Sequence, residues 1–463
     1  MIKLREYQQD CINKILSMSK GEKKIACLPT GSGKTILMAE LCRQINSRVL
    51  IIVFNTELRT QTIDKLKMVC GNNVDVGSVQ GNLKEWDNKI VVATRQTLTS
   101  GKDVKCRFIR LLQEGNFSHV LIDECHTGSK QQKTIIDNVN KDATIVGFTA
   151  TPFNSALTGL YDGFIYKREL LDMMKDKYLV EPVCYTVKSN IDLNDVKVVR
   201  GDFSDRELSN KIDNEYRNNL IVKSYIEKCK TDNRNKTIVF CTTIEHSKNV
   251  AECFIEHGIK AISIDGTVKK KDREQILKDF HEGKYEVICN CMILTIGFDE
   301  PSIDSVIFAR PTKSKSLFIQ CLGRGLRLSP NKKDCLVLDV VDVVTKHDIV
   351  STKTIFDTVD GETPLQAIER KDKEEAQQKI IDATEEKRKN FINENNFVFK
   401  YEKEPEEVNI DQLITEYKEE NLLIERDIEE KKGKKSNNKV DKVDNCVKKN
   451  KGFFNKIFSK LFA

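Results

Sequence analysis

From residue 25 to about residue 148, short apolar and β-branched runs alternate with stretches whose apolar residues recur every three to four positions. Residues 25–28, 48–54, 89–93, 119–122 and 144–147 are the clearest runs, and they predict strands. After the first of them, Ile36, Leu37, Ala39, Leu41 and Ile45 space as one face of a helix. Strand and helix in alternation predict βαβ units and a parallel sheet. The pattern then repeats: 237–241, 261–264, 286–289, 305–308 and 335–340 are strand-like, with helical spacing over 245–256 and 271–281. Residues 166–217, between the two arrays, are more polar and irregular and read as a connector or small insertion. Beyond about residue 360 the apolar runs stop. Lys/Glu-rich helical sequence takes over and leads into KKGKKSNNKVDKVDN, a polar stretch that reads as disordered.

The expected class is therefore α/β, with two tandem parallel-sheet lobes and a charged, mainly helical tail. The expected bounds are 1–165 and 218–345 for the lobes, 166–217 for the connector, 346–430 for a helical extension and 431–448 for a tether. At the end, in GFFNKIFSKLFA, Phe453, Phe454, Ile457, Phe458, Leu461 and Phe462 gather on one helical face, opposite Asn455, Lys456, Ser459 and Lys460. With Lys448, Lys449 and Lys451 beside it, an amphipathic helix over 449–463 is expected to dock on a protein partner or an anionic membrane surface.

Length fits this division, since 463 residues exceed a single domain of roughly 150. Charge narrows the partners. With 76 Lys+Arg against 70 Asp+Glu the net charge is only +6, so contacts to a polyanion must be local rather than a global field. The 15 cysteines scatter through apolar segments without a C-x-x-C pair, which points to reduced, buried thiols in a cytoplasmic protein rather than a disulfide frame or zinc site. No signal peptide opens the chain, and no apolar run approaches the roughly 18 residues of a membrane span.

Two segments carry chemistry. CLPTGSGKTILMAEL joins a strand to a helix through a glycine-rich loop, the arrangement whose backbone N–H groups cradle phosphates at a helix N-terminus. The pattern G-x-x-x-x-G-K-[ST] places glycine where this chain has Leu28; Gly31, Gly33, Lys34 and Thr35 still supply the turn, the cation and the hydroxyl. Further on, the apolar strand HVLI runs into Asp123 and Glu124. Paired carboxylates at a strand end suit hydrolysis of a nucleotide, one holding Mg²⁺ and the other taking a proton from water.

LREYQ (4–8), PTGSGKT, DECH, TATP (149–152) and Gln320-x-x-Gly323-Arg324-x-x-Arg327 stand in the order seen in superfamily 2 helicases, the DExH-box motors, over roughly residues 1–345. LREYQQ, ILTIGFDEPSID and SLFIQCLGRGLRLSPNKKDCLVLD resemble most the RadD group and the helicase parts of type III restriction enzymes. The chain departs from RadD-like proteins in lacking a C-terminal cysteine cluster. After residue 345 it shows no carboxylate–lysine nuclease constellation, so a nuclease is not expected.

The resemblance implies two RecA-like lobes with ATP between them. Gln8 would read the adenine edge, with Arg5 and Tyr7 nearby. Pro29, Thr30, Gly31, Ser32, Gly33, Lys34 and Thr35 would hold the nucleotide, and Thr35 and Asp123 the Mg²⁺. Glu124 would be the base, and His126 with Gln320 would couple the nucleotide to the lobe interface. Arg324 and Arg327 would be arginine fingers. Segments 54–61, 93–98, 241–246, 265–267 and 294–299 fall where family members touch a nucleic-acid backbone; with TATP they nominate Thr94, Thr149, Thr151, Thr242, Gly266 and Thr295. The expected function is an ATP-dependent DNA translocase or helicase in DNA repair or phage defence. RNA, or an ATP-gated clamp or assembly factor, is the alternative.

Overall fold

The computed structural model describes residues 3–394 apart from 82, 100–111, 153–156, 200, 296 and 344–348. The expected tether (431–448) and docking helix (449–463) lie outside the described residues. The chain divides into a compact unit over residues 1–379 and a second over 380–463, and the helix Pro364–Glu394 runs from one into the other.

Among the described residues the first unit holds two large sheets and a two-stranded hairpin. Strands β1 (Lys23–Cys27), β2 (Val49–Val53), β3 (Val76–Gln80), β4 (Leu83–Lys84), β5 (Ile90–Thr94), β6 (His119–Ile122), β7 (Thr144–Thr149) and β8 (Phe164–Lys167) form the first, in the order β4-β3-β5-β2-β6-β7-β1-β8. All neighbours are parallel except β3 and β4. Helices cover both faces, so every residue of β2 is buried and its side chains alternate between two cores: Ile51 and Val53 into one, Leu50 and Ile52 into the other.

The second sheet starts with a strand from the supposed connector. Strand β9 (Pro182–Asp192) lies parallel to β16 (Cys335–Val343) at its edge. Between β9 and the rest, β10 (Val198–Val199) and β11 (Asp202–Phe203) make a small hairpin, and Leu193, Val196, Phe203, Leu208 and Ile212 close a core of their own. With β12 (Thr237–Phe240), β13 (Ala261–Ile264), β14 (Val287–Asn290) and β15 (Ser305–Phe308), the order is β13-β14-β12-β15-β16-β9, all parallel. Residues 166–217 are thus partly sheet: β8 ends within them and β9 is the second sheet's edge. Edge position explains why the apolar pattern missed these strands. They alternate buried and exposed residues rather than running apolar. The insertion is pinned to the second sheet by Arg217, fully buried, which donates to both Asp342 carboxylate oxygens (2.9 and 2.8 Å) and to the Ala309 carbonyl (2.7 Å).

A candidate nucleotide site at the lobe interface

The phosphate loop joins β1 to the helix Lys34–Gln44. Leu28, where the usual pattern has glycine, extends β1 by donating its N–H to the Thr149 carbonyl (2.9 Å), and its side chain is buried in the core. The turn proper needs glycine only at Gly31 and Gly33, whose φ angles are 85° and 77°. Gln8 Nε2 donates to the Ser32 carbonyl (3.0 Å), as does the Tyr7 hydroxyl, and Arg5 N–H donates to Gln8 Oε1 (3.0 Å). The Arg5 guanidinium lies 5.2 Å from the Tyr178 ring centre, and Tyr178 packs edge-on against Tyr7. Pro29 accepts from the Ser32 N–H (3.2 Å), and Thr35 sits half-buried on the first helical turn. Thr30 Oγ1 and Ser32 Oγ are buried without a hydrogen-bond partner. A glycine turn at a helix N-terminus with two buried, unpaired hydroxyls, a lysine and a carboxylate beside it fits a nucleotide phosphate with Mg²⁺.

The carboxylates follow β6. Lys34 Nζ stands 3.7 Å from Glu124 Oε1 and 3.3 Å from the Leu28 carbonyl. His126 Nδ1 lies 3.3 Å from Glu124 Oε2 and 2.9 Å from Thr149 Oγ1. Burial, and then the charge of Glu124, push the Asp123 carboxyl up to about 7. Burial opposes ionisation of Glu124 too, but Lys34 and then His126 outweigh it and hold Glu124 down at about 2. One ionised carboxylate beside a lysine is the charge state a proton acceptor needs.

Glu124 has a φ of 46°, a conformation that costs a non-glycine residue on the order of 1 kcal/mol or more and persists only where neighbours enforce it. The residues that brace this turn were not nominated for the nucleotide site. Buried Gln132 donates to the carbonyls of Cys125 and Thr127 (2.5 Å each) and accepts from the Tyr161 hydroxyl (2.9 Å). Arg95 donates to Thr127 Oγ1 (3.0 Å). Their sequence signal is faint, since an uncharged glutamine on a short helix has many uses.

The second lobe reaches this site through the helix Lys315–Gly325. Gln320 Nε2 lies 2.9 Å from His126 Nε2, and one turn earlier Ser316 Oγ lies 2.6 Å from Thr151 Oγ1. Thr149 Oγ1 also accepts from the Thr151 N–H (2.9 Å), so a continuous polar chain runs Gln320–His126–Thr149–Thr151–Ser316 and leaves from and returns to one helical face. Beyond it, Gly323 packs on Thr30 and Arg327 on Gly31. Arg324 is buried and donates to the carbonyls of Thr295 (3.1 and 2.5 Å) and Phe298 (2.7 Å); burial, with Arg327 beside it, lowers its pKa to about 10. Arg327 pairs with Asp299 (2.5 Å) and donates to the Phe298 carbonyl (2.8 Å). Both candidate fingers are thus held at the interface by the second lobe's own loop.

Of the residues nominated for nucleic acid, Thr149 and Thr151 belong to the polar chain just described. Thr94 bonds Thr97 (2.8 Å), Thr295 donates to the Met292 carbonyl (2.6 Å), and Thr242 is buried with its hydroxyl unpaired. Gly266 is exposed, with open space where a side chain would be. A polar cleft of about 480 Å³ opens beside Thr94, lined among others by Asn55, Thr56, Gln80, Arg95 and Gln131. The two lobes also touch at nominated segments, where Gln61 Nε2 donates to the Gly297 carbonyl (2.6 Å).

Comparison with known proteins fits this geometry. Residues 1–154 match the family described as "Type III restriction enzyme, res subunit", and residues 218–329 match the "Helicase conserved C-terminal domain". The chain belongs to the superfamily 2 helicases, a family of ATP-hydrolysing enzymes. It is 31% identical over 377 residues to IRC3 of Saccharomyces cerevisiae, provisionally named an ATP-dependent helicase, covering 76% of this chain and 53% of that protein. With irc3 of Schizosaccharomyces pombe, provisionally named a mitochondrial ATP-dependent helicase, identity is 33% over 363 residues, covering 74% and 58%. The chain therefore spans little more than half the length of these relatives. The fold is shared with S. cerevisiae Dbp5 bound to RNA and ADP BeF3 (TM-score 0.53, 16% identity, 74% of this chain and 84% of that one). It is shared also with the ATP-dependent Type ISP restriction-modification enzyme LlaBIII bound to DNA (TM-score 0.53, 16% identity, 78% and 29%). Among the described residues no helix is long and apolar enough to cross a membrane.

Proposed function

We propose that this superfamily 2 helicase is a DNA-stimulated ATPase that translocates along or unwinds DNA, in repair or phage defence. The observation that carries the reading is the polar chain from Gln320 through His126 to Thr149, with Glu124 3.3 Å from His126. It makes the position of the second lobe part of the environment of the hydrolytic carboxylate. Lys34 and the loop 29–35 would hold the ATP phosphates, and Asp123 and Thr35 would hold Mg²⁺, which would neutralise charge on them. Glu124 takes the proton of the attacking water. Arg324 and Arg327 supply positive charge to the transition state once the loop 295–299 releases or re-aims them. Opening and closing of the interface would alternate the grip of the two lobes on a strand.

DNA is favoured over RNA by names among the relatives, which include a DNA 3'-5' translocase of Sulfurisphaera tokodaii and type I restriction enzyme subunits of Escherichia coli. A strand-displacement assay on fluorescent duplex DNA separates a motor from a clamp. Displacement that needs ATP and disappears in Glu124→Gln supports the motor; ATP turnover without displacement or translocation contradicts it.

A further inference from the structure

The segment that carries both candidate fingers leaves its helix at Gly325, where the last carbonyls of a helix have no partner within it. In this chain the partners come from elsewhere. Val180 N–H donates to the Leu326 carbonyl (2.9 Å). Lys332 Nζ donates to the carbonyls of Gly325 (2.6 Å), Arg327 (2.9 Å) and Pro301 (3.1 Å), which engages all three donors of an ammonium group. Two of those carbonyls belong to the finger segment, and the third to the loop whose residues 298 and 299 hold the Arg327 guanidinium. Lys332 therefore fixes the backbone of Arg327 to the same loop that holds its side chain. The alternative role for such a lysine, a surface ion pair, does not apply: no carboxylate lies within 4.0 Å of it among the described residues, and burial lowers its pKa.

We infer that Lys332 is a positioning residue for the finger Arg327, setting the register between the segment 325–327 and the loop 298–301 without touching nucleotide. This rests on the reading of Arg327 as a finger. Hydrogen bonds from a charged donor are shorter and stronger than neutral ones, so three of them restrain a short, otherwise irregular segment, and a displacement of about 1 Å in a reacting group can cost about 100-fold in rate.

The test is steady-state ATPase of the full chain with saturating polynucleotide, comparing Lys332→Met, Lys332→Arg, Arg327→Ala and the double variant Lys332→Met/Arg327→Ala. Lys332→Met should lower kcat by about tenfold or more while KM for ATP changes by less than about twofold, as expected when only the transition state loses a contact. Lys332→Arg, which keeps several N–H donors, should recover a large part of kcat. In the Arg327→Ala background Lys332→Met should cost less than about twofold, because the group it positions is gone. Unchanged kcat in Lys332→Met, or an equal loss with and without Arg327, overturns the inference while leaving the finger intact. Unchanged kcat in Arg327→Ala overturns the finger reading itself, and the inference with it. If Lys332→Met melts below the assay temperature, Lys332→Gln, which retains two donors, is read in its place against the same outcomes.

Discussion

Thr30 and Gly323 meet across the two lobes at contact distance: a Cβ on Gly323 would stand 2.5 Å from the Thr30 Cβ and 2.9 Å from its Cγ2. Neither atom is the loose end of a flexible side chain, so any side chain at 323 must part the lobes where the phosphate loop meets the finger helix. Within the helix itself the change is favourable, since Ala is about 1 kcal/mol better than Gly in a helix interior. Gly323→Ala should therefore lower kcat/KM for ATP by about tenfold or more, without lowering the melting temperature. A variant with full ATPase would show that the lobes need not come this close during turnover.

Lys34 and Glu124 are 3.7 Å apart, and the proposed function gives them different work. Lys34→Ala should abolish turnover and weaken nucleotide binding. Glu124→Gln should still bind ATP yet lose at least about 100-fold in kcat, the usual worth of a positioned base. Fluorescent-nucleotide titration beside steady-state ATPase separates the two. Normal turnover in Glu124→Gln would remove the base from Glu124.

His246 gives a pH dependence. It is fully buried, its Nδ1 accepts from the Thr242 N–H (3.3 Å), and burial, with Arg217 adding a smaller push, lowers its pKa from 6.5 to about 3. The folded state keeps this ring neutral, whereas the unfolded chain protonates it below about pH 6.5. The stability it contributes is thus fully present above that pH and is lost as pH falls toward about 3, amounting to about 3 kcal/mol by about pH 4.5. His246→Gln retains an acceptor for Thr242 and does not titrate. Between about pH 7 and 4.5 the parent protein should lose several degrees more of melting temperature than the variant; equal losses would show that the ring takes up its proton while folded.

What could be read in the sequence follows a physical divide. Strands β2, β5, β6 and β7 were legible because sheets covered on both faces need uninterrupted apolar runs, whereas β8 and β9 lie at sheet edges and look polar. The phosphate loop and the carboxylate pair were legible because their chemistry is local in the chain. The contacts of Ser316, Gln132 and Lys332 were not, since each depends on which carbonyl or hydroxyl another segment brings alongside. Thr149 and Thr151 fall on the same divide: residue type nominates them for a phosphate contact, and only tertiary structure brings their hydroxyls beside His126 and Ser316.

Whether the protein is a DNA motor is tested by the ATPase rate of the full chain with single-stranded DNA, duplex DNA, single-stranded RNA and duplex RNA, with Glu124→Gln as the blank. DNA should raise the rate well above both the polymer-free and the RNA rates, and the gain should fade as salt rises because phosphate contacts release counterions. A larger gain with RNA would contradict the choice of substrate. A rate indifferent to all four polymers would contradict the motor itself.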